Sequence, residues 1–200
     1  CLPMGLAGHT AAVLVGWWAG VIALFGVLGF TVDRFGINPG WVAATSLISG
    51  YSLTQLLSAG YVEWFAILFG AGLLILLDHW WAEGKGSSLL WAGILCGFAM
   101  GSKYTGGILT IAGGIVVLVQ CLVHKAGIVR LAKNLVIFAI PALLVFAPWL
   151  IKNIAATGNP FYPLFFPAGS MDPFRLDAYQ LPPWGDWKDI LLIPIRATLV

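Results

Sequence analysis

Two charged side chains stand where a mostly apolar chain could do chemistry. Glu63 lies in GYVEWF at the start of an apolar run, and Lys103 lies in MGSKYTGG, between two others. A carboxylate at membrane depth commonly faces a cavity and acts there. It can equally be a helix-start acid, held by the positive end of the helix dipole. A lysine at the centre of a span costs roughly 2.5 to 3.5 kcal/mol. At the mouth of a short span it can instead face a phosphate or a partner carboxylate, or simply snorkel to the surface. Tyr104 beside it is either a headgroup anchor or a ligand contact. A third group lies in PWLIKNIAATGNPFYP, where Lys152, Asn153 and Asn159 offer one positive charge and two amides at a membrane surface. These suit a lipid headgroup, a phosphate or a sugar; the plainer alternative is a basic helix-end anchor followed by a turn.

The elements that carry these residues follow from composition. Of 200 residues, 60% are hydrophobic and 9% charged, against about 25% charged in an ordinary soluble domain. Roughly 20 mainly apolar residues cross a hydrocarbon core, and such stretches recur along the chain. The expected fold is therefore all-α, a polytopic transmembrane helix bundle of about six spans, integral to a membrane. Net charge is +2, too small to point to a nucleic-acid partner. Cys96 and Cys121 lie inside apolar runs, and His9, His79 and His124 are scattered, so no metal or disulfide spacing is present. The opening residues do not run basic start, apolar core and cleavage site in order, so no signal peptide is read there.

The spans are expected near 11–32, 41–58, 61–81, 89–102, 106–123 and 134–151, making residues 1–151 the helical bundle. Asp33-Arg34 with Gly36, Asn38 and Pro39 has turn composition, as does EGKGSS at 83–88. A single helix over 89–123 would be about 52 Å long, too long for one span. Two short spans meeting at a polar hinge around Lys103, Thr105, Gly106 and Gly107 fit better. Orientation agrees. The segment 124–133 carries Lys125, Arg130 and Lys133 with no acid, so it is the expected cytoplasmic loop. Counting back places 82–88 and Asp33-Arg34 on the same side. Gly60–Glu63, Lys103–Gly107 and everything after Lys152 then fall on the extracytoplasmic side. Residues 152–189 hold Pro160, Pro163, Pro167, Pro173, Pro182 and Pro183, six of the eleven prolines, among many aromatics. Continuous helix is excluded at that density, and an extracytoplasmic loop lying against the membrane is expected. Residues 190–200 begin a further apolar segment. Because the chain starts at Cys1 and stops inside that segment, it reads as a piece of a longer protein.

Gly93, Gly97 and Gly101 recur every four residues, with Gly16 and Gly20 a weaker echo. This spacing lets helix backbones approach closely, and the stripe is assigned to packing.

Taken in order, GYVEWFAILFGAGLLIL, WAGILCGFAMGSKYTG and PWLIKNIAATGNPFYP resemble the GT-C superfamily of membrane glycosyltransferases. That superfamily includes the protein O-mannosyltransferases and the lipid A aminoarabinose transferases. The likeness rests on the order and spacing of the three blocks over residues 10–165. It implies transfer of a sugar from a polyprenyl-phosphate donor to a lipid, glycan or protein acceptor on the extracytoplasmic side of a bacterial inner membrane. It also implies that Glu63 matches a supporting acid and that Lys103, with Tyr104 beside it, lies near the donor phosphate. Glu63 replaces the more usual Asp, and the loop bearing the family's principal catalytic Asp would precede Cys1. A divalent cation is compatible with this chemistry, but no residue specifies one and no metal ligand is assigned. Two other classes fit the same sparse charges. A transporter or lipid flippase would show matched repeats with broken helices, and no matched half is evident. A structural membrane subunit would use Glu63 and Lys103 only as anchors.

Overall fold

The computed structural model describes residues 2–50, 55 and 60–162, with side chains from residue 10 onward. Every regular element among them is helical. They are α1 (Leu2–Phe35), α2 (Ile37–Ser49), α3 (Glu63–Glu83), α4 (Gly86–Ser102), α5 (Gly107–Val123) and α6 (Ile128–Thr157), with a 3-10 turn at Tyr104–Gly106. Four stretches are long and apolar enough to cross a membrane: Thr10–Phe35, Glu63–Glu83, Tyr104–Val123 and Ile128–Thr157. Gly86–Ser102 is apolar but shorter. At 1.5 Å per residue its 17 residues rise about 25 Å, just short of the hydrocarbon thickness.

Several boundaries differ from the sequence expectation. Asp33 and Arg34 are not in a turn: α1 runs through them, and the chain reverses at Gly36, whose φ of 96° suits a residue without a Cβ. Pro39 falls in the first turn of α2, where its missing N–H costs nothing. The expected loop 124–133 shrinks to 124–127, because α6 already starts at Ile128. That helix passes through Pro141 and Pro148 and ends at Thr157 rather than at 151. Proline is tolerated inside membrane helices, where neighbouring groups re-satisfy the freed carbonyls. The second half of the expected span 41–58 lies outside the described residues apart from residue 55, as do residues 163–189 of the loop expected over 152–189 and the expected segment 190–200.

The chain divides into two compact units, Cys1–Trp149 and Leu150–Val200. Within the first, contacts set the helix directions. α2 folds back on α1, and a Cβ on Gly40 would lie 2.3 Å from Val32. α3 then runs parallel to α1. Its leading turn at Gly60 meets Val13 and Gly16, and near its far end Asp78 pairs with Arg34. α4 returns along α3, and α6 runs parallel to α4, with Gly93 against Phe138 and Gly97 against Ala142. One end of the bundle therefore gathers Gly60, Glu63, Lys103 and Trp149. The other gathers Arg34, Asp78, Lys85 and His124, which stacks edge-on against Trp81.

Packing is inside-out relative to a soluble domain. The largest core joins Leu73, Leu77, Trp80, Leu89, Phe138 and smaller residues between them. A second joins Trp64 to Ala19 and Ala23. Outward positions are as apolar as inward ones: Phe25, Ile108, Ile111 and Leu144 are all exposed. In water such a surface would drive aggregation; against lipid tails it costs nothing.

The Arg34 end holds Arg34, Lys85, Lys125, Arg130 and Lys133, against Lys103 at the other end. By the positive-inside rule the Arg34 end is expected in the cytoplasm. Gly127 tests this well, since a Cβ there meets nothing within 4 Å. A Gly127→Cys variant in intact cells should resist a membrane-impermeant thiol reagent and react once the cells are permeabilised. Ready labelling of intact cells would invert the orientation.

Candidate functional site

The site begins with the seam between α1 and the start of α3. Gly60 adopts φ +63°, and a Cβ there would lie 2.4 Å from the Val13 carbonyl oxygen. A Cβ on Gly16 would in turn lie 2.2 Å from the Gly60 carbonyl oxygen. Only glycine fits both positions, so the backbone entering α3 is seated directly on α1. One residue beyond Glu63, the fully buried Trp64 packs on Ala19 and Ala23. This fixes the rotation of α3 about its axis and hence the direction in which Glu63 leaves it.

The opposite wall is the end of α4. Lys103 leaves the helix in an extended conformation, φ −157° and ψ 137°, while its N–H still donates to the Ala99 carbonyl. The 3-10 turn follows, closed by the Gly106 N–H donating to the Lys103 carbonyl at 2.8 Å. A Cβ on Gly106 would lie 2.3 Å from the Ala99 carbonyl oxygen, so the turn can fold back onto α4 only with glycine there. The result is an ion pair across the gap: Lys103 Nζ donates to Glu63 Oε1 at 2.9 Å. Both side chains are partly exposed, at 47% and 35%. The other carboxylate oxygen, Glu63 Oε2, is buried without a hydrogen-bond partner, as is the indole Nε1 of Trp64.

Tyr104 faces the other way. Its hydroxyl accepts a hydrogen bond from Trp149 Nε1 at 3.0 Å, and its ring meets Phe146 and Trp149 edge-on. This ties the turn to α6 and leaves Lys103 on the α3 side.

A groove of about 650 Å³ opens beside the pair, between α1, α3 and the start of α5. Thr105 and Gly106 line it immediately after Lys103, and Ala66 lies one turn beyond Glu63. From there it follows α3 past Gly70 to Ile75, opposite Thr31 of α1, a rise of about 14 Å from Ala66 to Ile75. Its walls are almost wholly apolar. Just past its far end Arg34 grips Asp78 through two hydrogen bonds, with Nε to Oδ2 at 3.1 Å. Such a fork binds a carboxylate more firmly than a single contact does. The structure thus brings together Glu63 and Lys103, 40 residues apart, close in sequence to Ala66 and Thr105, which line an apolar groove that neither charged side chain lines.

The remaining sequence candidates, Lys152, Asn153 and Asn159, lie in the second unit. Asn153 is buried at 3% exposure, and its Nδ2 donates to the Pro160 carbonyl at 3.1 Å. Asn159 accepts the Phe161 N–H on Oδ1 at 3.0 Å, and its own N–H donates to Thr157 Oγ1. These amides shape the end of α6 and the turn after Gly158, which is a structural use of polar groups at a helix terminus. Lys152 is exposed on the last turns of the same helix.

Sequence reasoning missed Asp78, Trp149 and the groove. Asp78 was the most legible, being an acid near the end of an apolar span with an arginine at the end of another. No cluster of three or more His, Cys, Asp or Glu side chains suited to a metal occurs among the described residues. Comparison with protein-family models, curated proteins and solved structures finds no match to this chain.

Proposed function

We propose that this chain belongs to a membrane glycosyltransferase that moves a sugar from a polyprenyl-phosphate donor to an acceptor hydroxyl. The observation that carries the reading is the Glu63–Lys103 pair, close in sequence to residues that line an apolar groove. A lipid-linked phosphate has the same two parts, an anionic head and a long apolar tail. The groove offers the tail a path down α3, and Lys103 offers the head a cation beside the groove.

The chemistry follows from charge. As the glycosidic bond breaks, its electron pair moves onto the phosphate oxygen. A fixed ammonium there stabilises the transition state more than the ground state. The acceptor hydroxyl is a weak nucleophile until a carboxylate takes its proton. On the family pattern Glu63 is not that principal base but the supporting acid that orients the acceptor. The twofold grip of Arg34 on Asp78 joins α1 to α3 at the far end of the groove and holds its walls at a set separation.

The direct test is binding. Purified protein in lipid nanodiscs, examined by native mass spectrometry, should retain polyprenyl monophosphate and release polyprenol of the same chain length. Equal retention of the two would remove the phosphate from the reading and leave a general lipid groove. A polar solute binding at the same place, with no lipid preference, would favour a transporter.

A further inference from the structure

The Glu63–Lys103 pair has an unbalanced geometry. Lys103 engages Oε1 alone, while Oε2 of the same carboxylate is buried with no donor. Leaving a buried charged acceptor unsatisfied is costly compared with any arrangement that supplies it a donor. The pair is also accessible, since about half of the Lys103 side chain and a third of the Glu63 side chain reach the surface. Its two sides differ in freedom. Trp64, fully buried on Ala19 and Ala23, pins the backbone beneath Glu63, so only the carboxylate arm can move. Lys103 sits on extended backbone ahead of the turn and carries a long, adaptable stem.

We infer that the Glu63–Lys103 pair is a latch which the phosphate of the lipid-linked donor opens, releasing Glu63 to position the acceptor hydroxyl. This rests on the donor reading above. A phosphate entering at Thr105 and Gly106 meets the Lys103 ammonium beside it. The donor's phosphodiester matches the carboxylate in charge, with one negative charge and two non-bridging oxygens, and the seating of its lipid tail in the groove lets it take that ammonium over. Glu63 then loses the lysine and turns out of the wall. There both oxygens can accept hydrogen bonds, one of them from the acceptor O–H. The latch itself makes and breaks no covalent bond. Its consequence is order: the acceptor is held in place only once donor is bound, which guards the site against acceptor bound without donor. Glu63 is in this sense a positioning residue.

The latch makes a prediction opposite in sign to that of a residue that helps to bind donor. Because Glu63 competes with phosphate for Lys103, weakening its hold on Lys103 should tighten donor binding. The probe is polyprenyl monophosphate, titrated into nanodisc-embedded protein. Glu63→Gln and Glu63→Asp should both bind it roughly two to five times more tightly than the wild type, the range expected for one partly exposed ion pair. The aspartate variant separates a latch from simple charge removal. It keeps the negative charge but, one methylene shorter on a pinned helix, holds Lys103 only where the lysine stem stretches to meet it, which weakens the 2.9 Å contact. Elution as a single species and an unchanged melting temperature would establish that both variants fold. Wild-type-like affinity in Glu63→Asp overturns the latch, whether or not Glu63→Gln binds more tightly. A wild-type protein that binds the phosphate no better than polyprenol overturns the donor reading and the latch together.

Discussion

Lys103→Ala should lower turnover of a lipid-linked sugar donor by about 100-fold in the complete enzyme. That is the scale of one lost contact to a developing negative charge in a water-poor site. A donor seated in the apolar groove beside Lys103 covers its half-exposed side chain and supplies that setting. Its ammonium is paired with Glu63 Oε1 at 2.9 Å, and the arriving phosphate takes it over from that pair. Lys103→Arg should recover part of the rate, because the charge returns with a different shape and hydrogen-bond geometry. Protein yield and helical content should stay close to wild type, since the turn is closed by backbone hydrogen bonds to Ala99 and Gly106 rather than by the side chain. Assay of purified protein with a lipid-linked donor decides the matter. Undiminished transfer by the alanine variant would leave Lys103 as a surface anchor and end the catalytic assignment.

A large stability effect is expected at Gly97, where leucine should abolish most of the folded protein. A Cβ there would lie 2.6 Å from both the Ala142 carbonyl oxygen and the Val145 Cβ. One of these is backbone, so no side-chain rotation relieves the contact; α4 and α6 would have to separate. Overpacking of this kind typically costs 1–3 kcal/mol, and here a whole isobutyl group must be placed where a single Cβ already collides. Gly101 provides the control, because a Cβ there meets nothing within 4 Å. Gly101→Leu should therefore leave thermal stability in detergent near wild type, while Gly97→Leu should lower it by at least 5 °C or yield no monodisperse protein. Equal stability of the two variants would show that the stripe does not set the approach of α4 to α6.

Much of this molecule was legible in its residues before any coordinates. The helical class followed from apolar stretches that only helices can carry through lipid, and the hinge at Lys103 from a span length that 35 residues could not fill singly. The stripe at Gly93 and Gly97 was legible for the same kind of reason, since spacing on a helix determines which residues share a face. Gly101 shares that face but contacts nothing across it; periodicity gives the face of a helix but not how far its neighbour extends along it. Helix ends were less legible. Charged Asp33 and Arg34 read as a turn, yet a helix continues through them when its side chains find partners outside, as Arg34 does with Asp78.

Only the tertiary structure decided which residues meet. Glu63 and Lys103 both belonged on one side by counting spans, but counting sets a level and not an azimuth around the bundle. Trp64 against Ala19 and Ala23 turned α3 so that Glu63 faced α4, and Gly106 against Ala99 folded the turn so that Lys103 faced back. The groove was invisible for the same reason, because a void belongs to the spacing between three helices and to no residue of any one of them. In the opposite direction, Asn153 looked like a surface amide and proved buried against the Pro160 carbonyl. A polar side chain in a sequence carries its hydrogen-bonding capacity with it; whether that capacity is spent on a ligand or on the protein's own backbone depends on what folding places within 3 Å or so.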